Sequence, residues 1–77
     1  MKIDAKNLDK AVGKYIVLYF NEKFVGKIKS VNSEEHFVVV EQLGGKDDGK
    51  LFKCPFDELA VNIEVYERDE AVIALLD

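Results

Sequence analysis

The chain has 77 residues, 48% hydrophobic and 34% charged, with eleven Lys and Arg against fifteen Asp and Glu for a net charge of -4. That length holds one domain with a thin stability margin, since a domain this small buries only roughly 60% of the surface its unfolded chain exposes. The composition excludes a disordered chain, and the negative balance argues against general nucleic-acid binding, which needs clustered positive charge.

The first segment, Asp4 to Val12, reads as a short helix. Asp4 is a candidate N-cap, and Ala5, Leu8, Ala11 and Val12 fall on one face. Gly13 follows where a helix end favours positive φ. After Gly13 the period changes to two. Tyr15 to Phe20 is aromatic and β-branched throughout, which predicts a strand covered on both faces. Asn21 to Lys23 is a turn. Phe24 to Val31 is a second strand, with Phe24, Gly26 and Ile28 on one face and Val25, Lys27 and Lys29 on the other. A glycine inside a strand predicts a bulge or bend at Gly26.

After a turn at Asn32 to Glu35, His36 to Leu43 is a third strand. Gly44 to Gly49 is a polar, glycine-rich loop. Lys50 to Cys54 is a fourth strand, ended by Pro55, which has no N–H for a ladder. Pro55 to Leu59 fits a single tight turn. Ala60 to Tyr66 alternates, with Val61, Ile63 and Val65 on one side and Asn62, Glu64 and Tyr66 on the other. Ala71 to Leu76 is read as a short C-terminal edge strand, with a helical turn as the competing reading. The expected fold is therefore mainly β. It is a bent, five-stranded antiparallel, partly open barrel over about 14–66, with a short N-terminal helix, in a single domain spanning 1–77.

The runs Tyr15 to Phe20, Phe24 to Ile28 with its strand glycine, His36 to Glu41, and Leu51 to Ala60 leading into Ile63 to Val65 resemble the Sm-like and SH3-like small barrels. Within that fold they are most similar to the Rho-specific inhibitor of transcription termination family, the Rho-binding antiterminators. The resemblance spans about two thirds of the chain and rests mostly on hydrophobic alternation. It implies a small barrel that regulates a nucleic-acid-binding partner, with Rho as one candidate by analogy. Where the Sm pattern carries a glycine-containing motif before the last strand, this chain has Pro55-Phe56-Asp57-Glu58. That departure weighs against uridine-type RNA pockets.

Cys54 is the sole cysteine, so no internal disulfide forms, and a cytoplasmic location is the default. No signal peptide is recognisable at the N-terminus. The apolar run Ala71 to Leu76, which no other run exceeds, falls far short of the ~20 residues that cross a bilayer. One Cys and one His make no metal site, and no cofactor is expected. Cys54 reads as a buried structural residue and His36 as a surface strand histidine. The 44–49 loop lacks the Gly-Lys-Ser/Thr ending of a phosphate cradle. No nucleophile–base pair can be assembled, so the chain is not read as an enzyme.

Charge is unevenly placed, +4 over residues 1–29 and -8 over 30–77. The acidic set Asp57, Glu58, Glu64, Glu67, Asp69 and Glu70 reads as a rim that binds a protein partner, a nucleic-acid-binding protein included, with Tyr66 as its aromatic anchor. The alternative is a single-stranded RNA or DNA interface built from Tyr19, Lys23, Phe24, Lys27 and Lys29. A third reading is a structural subunit of a ring or phage assembly that pairs with its own copies through 72–76. No membrane partner is expected.

Overall fold

Asp4 does cap the first helical segment: its Oδ1 accepts the Lys6 N–H at 2.9 Å. In the structure, a computed structural model that describes residues 1–20 and 22–76, this segment is a 3-10 helix over Ala5–Ala11 (η1). The short helix expected over 4–12 is present, as a 3-10 helix with slightly narrower bounds. Ala5, Leu8 and Ala11 are its buried residues, and that spacing of three matches the 3-10 period, not 3.6. Val12 lies beyond the helix and is 50% exposed. Gly13 then takes φ +92°, the conformation expected at that place.

Four strands form one antiparallel sheet in the order β2-β3-β4-β5: Tyr15–Phe20 (β2), Glu22–Asn32 (β3), Phe37–Leu43 (β4) and Leu51–Pro55 (β5). The expected turn at 21–23 gives way to strand from Glu22, and Asn21 lies outside the described residues. His36 sits in the turn before β4 with φ 61°, not in the strand. A second sheet, not expected, pairs Lys2–Asp4 (β1) with Asn62–Glu64 (β6). The strand expected over 60–66 is cut to these three residues because the ribbon's partner is equally short. A bridge between Tyr15 and Tyr66, with N–H to O distances of 3.0 and 2.8 Å, ties the ribbon to β2. Neither sheet closes on itself, so the fold is mainly β in two antiparallel sheets with short helices.

The expected bulge at Gly26 is also corrected. Gly26 keeps ladder register with Ile16 and Gln42, and the register shift falls between Ile28 and Ser30. Lys29 is thus the extra residue. The shift brings Ile28 opposite Val40 and Val31 opposite Val38, so two residues three apart both serve the interior.

Pro55 ends β5, and Phe56–Glu58 forms a single 3-10 turn (η2), as the sequence suggests. The C-terminal edge strand does not form. Arg68–Leu76 is an α-helix (α1). Glu70 Oε1 accepts the Glu67 N–H at 3.0 Å, which caps the helix start, and Asp69 and Glu70 suit its positive end. These local preferences outweigh the β-branched pair Val72-Ile73.

The main core joins Leu8 and Ala11 of η1 to Ile16, Leu18, Phe24, Ile28, Val38, Val40, Cys54 and Val65. α1 lies against β2 and β3. Val25, on the opposite side of β3 from Phe24, and Ala71 are both buried outside that main cluster. This explains why β2 is apolar on both faces.

Candidate interaction surface

The acidic set is divided by its local duties. Glu64, at the end of β6, pairs with the N-terminal amine of Met1. Glu67, just before α1, pairs with Lys14 Nζ. Glu70 is occupied by the cap. Asp57 and Glu58 on η2 and Asp69 on α1 are exposed and make no side-chain hydrogen bond or ion pair with another described residue. Tyr66 is half-buried, with its backbone held in the bridge to Tyr15.

Of Asp57, Glu58 and Asp69, Asp57 borders a groove of about 920 Å³. Its apolar lining is Phe56, Leu59 and Val61 from the η2–β6 segment. Asp4 and Lys6 line it from the start of η1, and Glu35, His36 and Asp57 complete the rim. Val61 is 75% exposed although the alternation of 60–66 set it on one side with Ile63 and Val65. The chain leaves strand geometry at this point, and only Ile63 and Val65 reach the core. His36 meets the Phe56 ring edge-on at 6.2 Å. The groove joins residues distant in sequence, and periodicity carries no signal for that.

Cys54 is buried, as expected, and its thiol is pushed up from 9.0 to about 11. Desolvation is the main cause, and the charges of Glu58 and then Asp57 add to it. A thiol held protonated is a poor nucleophile. Lys53 faces the opposite side of β5 from Cys54.

The basic group is reorganised more deeply. Phe24 is 6% exposed and packs on the Phe52 ring at 5.1 Å, so it offers no surface for a base. Lys29 Nζ lies 3.7 Å from Glu41, which also stands opposite Lys27 in the ladder. Tyr19 is 74% exposed and stands opposite Lys23. Two further basic–aromatic pairs escaped the sequence reading: Lys50 Nζ lies 5.2 Å above Phe52, and Lys53 Nζ 4.2 Å above Phe37. The 44–49 loop is an ordinary turn, closed by Asp48 Oδ1 accepting the Gly44 N–H at 2.6 Å. Among the described residues no group of His, Cys, Asp and Glu could hold a metal ion, and no helix is long and apolar enough to cross a membrane.

Compared with protein-family models, curated proteins and solved structures, the chain matches none of them.

Proposed function

We propose that the protein is a small non-catalytic interaction module of the cytoplasm that binds a basic, apolar segment of a protein partner. The observation that supports this best is the groove between η1 and η2. Apolar Phe56, Leu59 and the exposed Val61 lie beside the carboxylates of Asp4, Glu35 and Asp57. Exposed apolar area beside three carboxylates, against the single lysine Lys6 in the lining, suits a segment that offers Leu or Met beside Arg or Lys. The carboxylates speed encounter, and the apolar contact supplies the lasting affinity. Nucleic-acid-binding proteins carry such basic segments, and the likeness to the Rho-binding family points the same way. Within the acidic set, Asp57 is the member assigned to this contact. Single-strand binding is the weaker reading, because Phe24 is buried and Lys29 is paired.

Titration of the labelled protein with a short Arg- and Leu-bearing peptide, followed by amide NMR, tests this reading. Shifts at Phe56, Leu59 and Val61 that weaken as salt is raised support it. Shifts confined to Tyr19 and Lys23 on adding single-stranded RNA, with none from the peptide, overturn it.

A further inference from the structure

β5 is the last strand of its sheet, and its outer edge carries backbone that no described residue pairs. The hydrogen-bond parity shows which groups point outward. Gln42 N–H donates to the Lys50 carbonyl, and Phe56 N–H donates to the His36 carbonyl, both at 2.9 Å. Lys50 and Phe56 therefore face β4. Between them the ladder sets Phe52 opposite Val40 and Cys54 opposite Val38, so these even positions face β4 too. The N–H and C=O groups of Leu51 and Lys53 then point away from the sheet. Pro55, with no N–H, closes the usable edge after these two residues. Leu51 is 59% exposed and Lys53 is exposed as well.

Charge at this edge differs from that of the whole chain. Lys50 and Lys53 flank it, and neither makes an ion pair with a described carboxylate. The nearest carboxylate in register, Glu41 opposite Leu51, lies within reach of Lys29. Asp48, in the preceding loop, is held by the Gly44 N–H. Lysine on an edge strand discourages pairing with another copy, because a two-fold pairing of β5 would crowd Lys50 and Lys53 against their equivalents. The same lysines favour a strand of opposite sign.

We infer that the outer edge of β5 accepts a short extended segment of a partner protein by strand addition, with an acidic side chain beside Lys53 and an apolar one beside Leu51. This surface is separate from the groove between η1 and η2, and the inference does not rest on that groove. Main-chain hydrogen bonds to Leu51 and Lys53 supply the attachment, and the side-chain alternation of a strand supplies the choice of partner.

The test uses an acetylated octapeptide alternating threonine with glutamate and leucine in turn, added to the labelled full chain. The expected result is amide shifts and slowed hydrogen exchange at Leu51 and Lys53, with much smaller changes at Phe52 and Cys54. Lys53→Glu should weaken that peptide at least about tenfold and strengthen one bearing lysine in place of glutamate. Lys53→Pro removes an outward N–H without breaking a bond to β4, and should abolish binding. Should that variant fail to fold, methylating the peptide nitrogens in alternation gives the same readout on the native chain: one set of methyl groups blocks binding and the other does not. Equal shifts at Phe52 and Lys53, an unchanged Lys53→Glu, tighter binding of single-stranded RNA at this edge, or a dimer paired through β5 would each overturn the inference.

Discussion

Gly26 sits against Val40: a Cβ placed on Gly26 would lie 3.2 Å from the Val40 Cβ and 3.5 Å from Leu18 Cδ1. Gly26 is not among the positive-φ residues. The demand for glycine here is one of space, because the first three strands of the sheet press together at a point where Val40 is fully buried. Gly26→Ala should destabilise the fold by about 1–3 kcal/mol through overpacking. Urea unfolding checks this, with a lower midpoint expected at an unchanged slope.

Ala71 and Ile73 separate the helix from the strand that the residue types suggested. Two residues apart, they would share one face of a strand but lie on nearly opposite faces of a helix. Ala71 is fully buried and Ile73 is 63% exposed. Ala71→Glu should cost about 3 kcal/mol or more by burying an unpaired charge. Ile73→Glu should stay within about 0.5 kcal/mol of the parent. Comparable losses in thermal unfolding of the two variants would contradict the docking of α1.

The Cys54 thiol predicts a specific pH response. Its pKa in the folded chain is raised from 9.0 to about 11, chiefly by desolvation, so folding favours the protonated form. The stability tied to it is fully present below pH ~9 and is lost as the pH climbs through ~11, because the unfolded chain ionises first. Lysines and tyrosines titrate in the same range, so the measurement is a difference. The gap in urea midpoint between the parent and Cys54→Ala should narrow as pH rises across this window. Alkylation of the native thiol at neutral pH should be slow and should accelerate on unfolding.

Two substitutions divide the groove's affinity into its parts. Val61→Ser should weaken an Arg- and Leu-bearing peptide by about tenfold, in a way that salt does not change. Asp57→Asn should flatten the salt dependence and leave the apolar part intact. Because Val61 and Asp57 are exposed, both variants should keep their stability within about 0.5 kcal/mol. Calorimetric titration at two salt concentrations reads both effects.

Local signals carried much of the architecture. The alternation of 15–20 and 37–43, Gly13 at the end of the first helix, and Pro55 before a single turn all show in the residues themselves, since each reflects a backbone preference of a few neighbours. Burial of Cys54 was legible for the same reason. The acidic rim was legible as composition, but three of its six carboxylates are spent on the N-terminal amine, on Lys14 and on the α1 cap.

What tertiary structure decided lies where distant segments meet. The pairing of Lys2–Asp4 with Asn62–Glu64 depends on a partner some sixty residues away, and three-residue strands have no period to read. The placing of the bulge at Lys29 was set by Ile28 and Val31 both facing the interior. The last segment became helix because its capped start and the apolar outer faces of β2 and β3 together favoured it over a strand. The opening charge of -4 is therefore only a sum. The fold spends half of the acidic set internally, leaves Asp57 beside an apolar groove, and sets two lysines with no ion pair to a described carboxylate along an outer strand edge. Length and charge bounded what this chain could be, while the meeting of its ends decided which surfaces remain available to a partner.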